Sequence, residues 1–387
     1  MDWDDVLIDA AATDTGMRRS NNQDSHSLVR ASNPEAWRQR GHLFMVADGM
    51  GAHAVGELAS KLACDNIPHN YNKLKTGNPA ESLTKAYREV GALIHGRASA
   101  NLDFQGMGTT CTTLLLLPEG ALIAHVGDSR AYRIRRDRID QLTFDHSLVW
   151  ELIRHNHLKP DDKSVRVPKN VITRSLGPEP TVEVDIEGPL AIESGDVYTL
   201  CSDGLSGLVS DPEIGAFAGH FHPKDAARYL VHLANLRGGF DNITVVIVRI
   251  GAWVEPDSAE VRTMAERESS VPGGGVKVRL KDAFTRLLTR RKPSAVVVEE
   301  HLYRSADCPI TAALVESLDE LTRRVQAAAV EQSWSIDWTN LATLRRLEAE
   351  ALQAGNHRKA LYQIGELIAM LGQAARYYKK GGGNGHS

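Results

Sequence analysis

The stretch CTTLLLLPEGALIAHV, residues 111–126, contains two strand-like runs, Cys111–Leu117 and Ala121–Val126, separated by Pro118-Glu119-Gly120. Short runs rich in Leu, Ile, Val and Thr are typical of buried strands. Proline and glycine between two such runs indicate a turn. A turn this short joins antiparallel neighbours, so the stretch predicts a β-hairpin and an antiparallel sheet.

The same kind of run recurs on both sides of this hairpin, at Leu43–Ala47, Val197–Cys201 and Ile243–Ile250. Apolar residues at helical spacing lie between the runs, in segments that begin near Val55, Pro79 and Pro223. This alternation predicts a mixed α and β domain over residues 1–252. Because hairpins favour antiparallel pairing, we expect sheets with helices packed on their outer faces.

The composition is that of an ordinary globular protein, with 42% hydrophobic and 24% charged residues in a chain of 387. The net charge of −4 argues against a general affinity for nucleic acid or an anionic membrane. The acidic N-terminus argues against a secretory signal. No apolar run reaches the roughly 18 residues of a membrane span, so we expect none. The four cysteines form no CxxC pair, which argues against a zinc site or a disulfide framework. We therefore expect a cytoplasmic protein.

Beyond Ile250 the sequence changes character. Residues 253–300 are expected to form a linker, which includes a basic segment at 276–292. The basic segment could bind an acidic partner or a membrane surface, or form a solvated helix. Residues 301–380 are predicted to form an all-helical accessory region, and the glycine-rich tail 381–387 is expected to be disordered.

Three helices are expected in the accessory region. The first carries a seam of apolar residues at helical spacing, namely Leu314, Leu318, Leu321, Val325 and Ala328. The second spans Leu341–Leu352 and the third Ala360–Ala375, with Gly355-Asn356 between them. Residues 351–361 are similar to the turn of a tetratricopeptide repeat, but a helical hairpin or a three-helix bundle fits at least as well. We expect this region to bind a protein partner, either a substrate or a regulator.

Aspartates occupy the ends of strand-like runs in four places. Asp48, Asp128 and Asp203 follow such runs, and Asp241 precedes another. If the strands share a core, these carboxylates can converge at one edge, where they repel one another unless a cation compensates. Ligands made only of oxygen favour Mg²⁺ or Mn²⁺ over zinc or copper. The alternative is that each aspartate only caps a turn, as Asp-Gly pairs often do.

Eight short motifs follow one another along the chain: Gly16–Asp24, Asp48–Ala54, Gly106–Thr110, Val126–Tyr132, Asp145–Ser147, Thr173–Gly177, Cys201–Leu205 and Asp241–Thr244. Their order and spacing resemble the type 2C, metal-dependent protein phosphatases, and their wording is closest to the bacterial branch. The resemblance covers about residues 10–250. It implies an α/β sandwich, in which two antiparallel sheets pack face to face with helices on both sides. It also implies a serine/threonine phosphatase that acts on phosphorylated proteins.

The resemblance implies a binuclear centre of Mn²⁺ or Mg²⁺ and a weaker third metal site. On the matching positions, the implied metal ligands are a bridging Asp48, the Gly49 carbonyl, Asp203, Asp241 and, for the third ion, Asp128. Asp24 would lie close by and act through water. Arg19 would hold the substrate phosphate, for which a planar guanidinium is well suited. The two ions would activate a water for direct attack on phosphorus.

One position departs from many eukaryotic relatives: Met50 stands where they often have a histidine that serves as general acid. The leaving oxygen would then take its proton from a metal-bound water, or from His53 or His146. The same departure motivates an alternative, a catalytically weak phosphoprotein-binding scaffold with the same fold. A third hypothesis keeps the chemistry and makes the substrate an anti-anti-sigma-like partner.

Overall fold

The strand-like runs form two antiparallel sheets in the computed structural model, which describes residues 7–51, 55–73, 77–154, 171–251 and 303–382. The predicted linker 253–300 lies outside the described residues, as do the basic segment 276–292, His53 and residues 383–387 of the tail. Among the helices of the described ranges, none combines the length and the apolar character needed to cross a bilayer.

The first sheet contains β1 (Leu7–Asp14), β7 (Arg130–Arg135), β8 (Arg138–Gln141), β10 (Val197–Cys201), β11 (Ile243–Ile250) and β12 (Arg304–Asp307). The second contains β2 (Asp24–Val29), β3 (His42–Met50), β5 (Cys111–Leu117), β6 (Gly120–Val126) and β9 (Asp185–Leu190), with the short β4 (Gly108–Thr109) paired to β3. The strand order is β1-β11-β10-β7-β8-β12 in the first sheet and β2-β3-β5-β6-β9 in the second.

The hairpin predicted from residues 111–126 lies inside the second sheet. β5 and β6 pair antiparallel, with Cys111 opposite Val126, and every residue of both strands is buried. Successive side chains point to opposite faces, so Leu114 joins the cluster between the sheets and Leu115 the cluster beneath the outer helices. Burial on both faces explains why the sequence is apolar without alternation.

The two sheets pack face to face across an apolar layer. Phe44 and Val46 of β3 belong to the same buried cluster as Leu200 of β10 and Val246 of β11. This arrangement confirms the predicted α/β sandwich of two antiparallel sheets.

Helices cover both outer faces of the sandwich. The second sheet is covered by α2 (Val55–Lys73) and α3 (Pro79–Ala100), and the first by α5 (Asp203–Ser206), α6 (Asp211–His220) and α7 (Pro223–Leu236). Two short helices, α1 (Pro34–Arg40) and α4 (Leu148–Arg154), complete the domain in the described residues. The helices expected near Val55, Pro79 and Pro223 are thus confirmed.

The C-terminal region differs from the predicted all-helical region 301–380 at its start. Residues 304–307 form β12, which pairs antiparallel with β8, Arg304 lying opposite Gln141 and Asp307 opposite Arg138. The outer edge of β8 offers unpaired backbone groups, and a four-residue strand is too short to give a periodic signal. Three helices follow, as expected: α8 (Ala312–Glu331), α9 (Trp338–Gln353) and α10 (His357–Tyr377).

Helix α10 packs along α7, so the C-terminal helices share a core with the sandwich. Ile364 of α10 lies in the same buried cluster as Tyr229 of α7. Two glycines allow the helices to approach closely: a Cβ at Gly365 would lie 2.7 Å from the Tyr229 ring, and a Cβ at Gly372 would lie 2.7 Å from His232. The accessory region is therefore built onto the sandwich.

Candidate metal centre

Asp24 and Asp48 face each other at one edge of the second sheet. They are direct partners in the antiparallel register of β2 and β3. Two threonines fix the backbone of Asp48: its N–H donates to Thr110 Oγ1 at 2.9 Å, and its carbonyl accepts from Thr109 Oγ1 at 2.9 Å. The register thus places Asp24 beside the predicted bridging ligand.

Asp203 reaches the same edge from the first sheet, where it follows β10 and begins α5. The Oγ of the preceding Ser202 donates to Asp24 Oδ2 at 2.7 Å and accepts the Thr244 N–H at 3.0 Å. Ser202 therefore connects the carboxylate of Asp24, in the second sheet, to strand β11 of the first sheet. Ser202 lies in the motif Cys201–Leu205, where the sequence indicates no role for it.

The position of Gly49 excludes a side chain. A Cβ there would lie 2.0 Å from the carbonyl oxygen of Gly56 and 2.6 Å from that of Gln23. Only glycine lets the backbone after Asp48 pass this close to α2. This need for glycine agrees with the predicted role of the Gly49 carbonyl as a metal ligand.

Asp128 follows β6 in a loop supported by His146. The Gly127 N–H donates to His146 Nδ1 at 3.0 Å, and the Gly127 carbonyl accepts the His146 N–H at 2.7 Å. The other ring nitrogen, Nε2, lies 2.9 Å from the carboxylate of Asp185. Both ring nitrogens are therefore engaged, and the ring supports the loop of Asp128 instead of presenting an acid to the site.

Asp241 lies just before β11 and pairs with Arg19. Arg19 Nη2 donates to Asp241 Oδ2 at 2.8 Å, while half of the Arg19 side chain is exposed. The other carboxylate oxygen, Oδ1, accepts the N–H of Asn242. The predicted phosphate-binding cation thus contacts a predicted metal ligand.

Asn242 fixes the loop that carries Arg19. Its Nδ2 donates to the carbonyls of Thr15 and Asn21 at 2.9 and 2.8 Å, and its Oδ1 accepts the Gln23 N–H at 2.8 Å. This role of Asn242 was not predicted from the sequence, although Asn242 lies in the last of the eight motifs. The signal was its position, because Asn242 directly follows the candidate ligand Asp241 and precedes a strand.

Burial raises the pKa of the clustered carboxyl groups. The pKa of Asp24 and that of Asp128 are both raised to about 7. The pKa of Asp48 and that of Asp203 are raised as well, first by burial and then by repulsion from neighbouring aspartates. Buried acids that repel one another stay ionised at neutral pH only where positive charge compensates them.

Three carboxylate oxygens of this cluster are buried without a hydrogen-bond partner in the described residues: Asp24 Oδ1, Asp128 Oδ1 and Asp203 Oδ1. A buried oxygen of this kind costs free energy unless a proton or a cation satisfies it. The donor set consists of oxygens, which suits Mg²⁺ or Mn²⁺. Within the described residues, no group of three acidic, histidine or cysteine side chains is already arranged to hold a metal ion. By the chemistry of their donors and by these unpartnered oxygens, the residues present fit a divalent cation.

Comparison with known proteins identifies the family. Protein phosphatase PhpP of Streptococcus pneumoniae is 36% identical over 241 residues, which cover 61% of this chain and 94% of that protein. This chain belongs to the protein phosphatase 2C family. The family model described as protein phosphatase 2C matches residues 17–149.

Solved structures agree with the assignment to the protein phosphatase 2C (PP2C) family. The serine/threonine phosphatase PstP/Ppp of Mycobacterium tuberculosis is 33% identical, with a TM-score of 0.55, over 64% of this chain and 99% of that one. A structure of the PstP catalytic domain in complex with two manganese ions has a TM-score of 0.53 at 33% identity, over 64% of this chain and 99% of that one. The PP2C motifs end at Thr244, so α8–α10 lie beyond the resemblance.

Proposed function

We propose that this PP2C-family protein hydrolyses phosphoserine and phosphothreonine in phosphorylated proteins. The observation that carries the proposal is the cluster of buried, unpartnered carboxylate oxygens from both sheets, beside an exposed arginine. The Listeria monocytogenes relative, 34% identical over 93% of its length, is named a serine/threonine phosphatase. That name supports the substrate class proposed here.

In this proposal, Asp48, the Gly49 carbonyl, Asp203 and Asp241 hold two Mn²⁺ or Mg²⁺ ions, and Asp128 with Asp203 holds a weaker third. Bound ions would supply an activated water and would neutralise charge on the phosphoryl group. Asp24, held by Ser202, would orient water beside Asp48. The manganese-bound PstP structure supports the choice of metals, without separating Mn²⁺ from Mg²⁺.

Arg19 is proposed to bind the substrate phosphate. Its guanidinium is half exposed and makes one hydrogen bond to Asp241. Because a guanidinium donates in a fixed fork, it can exchange a carboxylate for a phosphate without rebuilding the loop. Water is the proposed proton donor for the leaving oxygen: Met50 has no proton to give, His146 is engaged by Gly127 and Asp185, and His53 lies outside the described residues.

The test is a phosphopeptide assay with Mn²⁺, comparing the wild type with Asp203→Asn. The substitution preserves the shape of the side chain and removes a charge, so we expect activity to fall by at least about a hundredfold. Asp225→Asn, on the outside of α7, is the matched control and should retain activity. Chelation should abolish the activity of the wild type.

Retained Mn²⁺-dependent activity in Asp203→Asn would overturn the assignment of the site. A wild type that binds phosphopeptide but does not hydrolyse it would favour the scaffold hypothesis that Met50 motivates. The third hypothesis, an anti-anti-sigma-like substrate, shares the same chemistry, so this assay does not test it. Phosphoproteomics of a deletion strain would identify the substrate. Partner binding by the C-terminal helices and a cytoplasmic location remain predictions from the sequence.

A further inference from the structure

The C-terminal end of α10 contacts the start of the Arg19 loop, defined here as Thr15–Gln23. Arg376 Nη1 forms an ion pair with Asp14 Oδ2 at the end of β1. The carboxylate is almost fully buried, with 4% of its side chain exposed, and its Oδ1 accepts the Gly16 N–H at 2.7 Å. Just beyond α10, Lys379 Nζ donates to the Met17 carbonyl. Two cations from the C-terminal region thus contact this loop or the residue that precedes it.

Gly16 connects these contacts to the metal centre. Its φ is +78°, and a Cβ there would lie 2.1 Å from the carbonyl oxygen of Asp241. The backbone of the loop therefore lies directly against the backbone of a proposed metal ligand, and three residues later Arg19 contacts the carboxylate of the same aspartate. A shift of Asp14 would move Gly16 against Asp241.

Between the loop and the C-terminal helices lies a cavity of about 300 Å³. Met17 and Arg18 line it on one side, and Val325, Ala328 and Trp334 line it on the other. Because the two parts are separated by this space, close apolar packing cannot fix the loop there. The polar contacts at the rim of the cavity therefore add to the hydrogen bonds from Asn242 and Gly239 that hold the other side of the loop.

We infer that Arg376, acting through Asp14, positions the Arg19 loop and so sets the affinity of the site for substrate phosphate. Arg376 is thus a positioning residue supplied by the C-terminal helices. The inference rests on the proposed function, because Arg19 must bind phosphate for the loop position to matter. The match to the PhpP relative covers 94% of that protein, so what is left of PhpP is too short to contain helices like α8–α10. The contact of Arg376 with Asp14 is therefore an addition to the shared domain.

The experiment measures KM and kcat of the full chain with a phosphothreonine peptide and Mn²⁺. Arg376→Gln should raise KM roughly tenfold and change kcat less, because it acts first on the loop that carries Arg19 and reaches the proposed ligand Asp241 only through the backbone of Gly16. Arg376→Lys keeps the charge and should restore part of the affinity. Arg346→Gln, which breaks an exposed pair on α9, is the matched control and should behave as wild type.

A double-mutant cycle separates positioning from general loosening of the fold. In an Arg19→Ala background, Arg376→Gln should have no further effect on KM, since the group that it positions is gone. Asp14→Asn, which keeps an acceptor for Gly16 and loses the charge, should reproduce the KM of Arg376→Gln. Additive effects of Arg19→Ala and Arg376→Gln would overturn the inference.

Amide hydrogen exchange provides a readout that does not depend on activity. In Arg376→Gln we expect faster exchange in peptides that cover Thr15–Gln23 and unchanged exchange in β3 and β10. Unchanged KM together with unchanged exchange of the loop would refute the positioning role. If the wild type shows no Mn²⁺-dependent activity, the proposed function fails, and loop exchange alone then decides whether Arg376 holds the loop.

Discussion

Several buried aspartates of this protein are unfavourable for folding unless they bind a ligand. Asp24, Asp128 and Asp203 each bury a carboxylate oxygen that has no hydrogen-bond partner in the described part of the chain. Such groups destabilise a fold unless a ligand satisfies them, and they occur mainly at functional sites. Binding of a divalent cation to this cluster is therefore expected to stabilise the folded protein.

Outside the metal centre, His232 of α7 is a half-buried titratable group. It lies against Gly372 of α10, and its Nδ1 is buried without a hydrogen-bond partner in the described residues. Burial, assisted by the nearby positive charge of Arg228, lowers the pKa of His232 to about 4. The ring is therefore neutral where the helices pack together.

This depressed pKa predicts how stability changes with pH. The unfolded chain takes up a proton on His232 near pH 6.5 and the folded chain only near pH 4, so acidification favours unfolding between these values. The stabilisation from neutral His232 is fully present above about pH 6.5 and lost as the pH falls toward 4, by up to about 3 kcal/mol.

The check is urea unfolding from pH 7.5 to 4 for the wild type and for His232→Leu. The leucine cannot titrate, so the difference in free energy of unfolding between the two proteins should change across this range. A constant difference would show that His232 does not report on the contact between α7 and α10.

At the scale of elements, the approach of α10 to α7 is the decisive packing contact of the C-terminal region. Beside Gly365, the hydroxyl of Tyr229 donates to Glu366 Oε1 at 2.5 Å, and Arg228 donates to the same oxygen at 2.5 Å. The Tyr229 ring is fully buried and held at its far end, so it cannot move aside. Close contact between the helices thus requires glycine at position 365.

Gly365→Ala is therefore expected to destabilise the protein by about 1–3 kcal/mol, despite the better helix propensity of alanine. Gly96→Ala, at an exposed position of α3 where a Cβ meets nothing within 4 Å, is the matched control. It should stabilise the protein by up to about 1 kcal/mol. Chemical denaturation of both variants provides the comparison, and equal effects would contradict the packing argument.

At the scale of the whole molecule, the first sheet of the sandwich and the C-terminal helices share one hydrophobic cluster. The cluster on the outer face of the first sheet includes Val245 and Ile247 of β11, Leu230 of α7, and Leu361 and Ile368 of α10. Strand β12 adds a second connection, because it extends the same sheet beyond β8. The C-terminal region therefore stabilises the phosphatase domain directly.

A chain that ends after residue 251 is expected to lose this support. Uncovering the partners of Leu361, Ile364 and Ile368 alone removes on the order of 5 kcal/mol, a large part of the stability of a typical domain. We expect a markedly lower Tm and a tendency to aggregate in calorimetry and size-exclusion chromatography. A truncated protein as stable and as monomeric as the full chain would show that the shared core is dispensable.

The sequence by itself indicated antiparallel sheets with helices on their outer faces, and the resemblance of its motifs implied the sandwich and the members of the proposed metal cluster. Continuous apolar runs such as Cys111–Leu117 predicted buried strands, and short turns predicted antiparallel pairing. The aspartates at strand ends predicted a common edge, because strands that share a core bring their ends together. These features depend on local composition and order along the chain, which a sequence displays directly.

Only the tertiary structure decided how distant segments meet. The sequence does not display the pairing of Asp24 with Asp48, the bridge through Ser202, or the contact of Arg376 with Asp14 across 362 positions. Strand β12 was missed because its pairing depends on the free edge of β8. The accessory helices were predicted correctly, but their attachment to α7 depends on Gly365 and Gly372, whose role is visible only when the facing side chains are known. Long-range contacts arise from how whole surfaces fit together, and no local pattern records that fit.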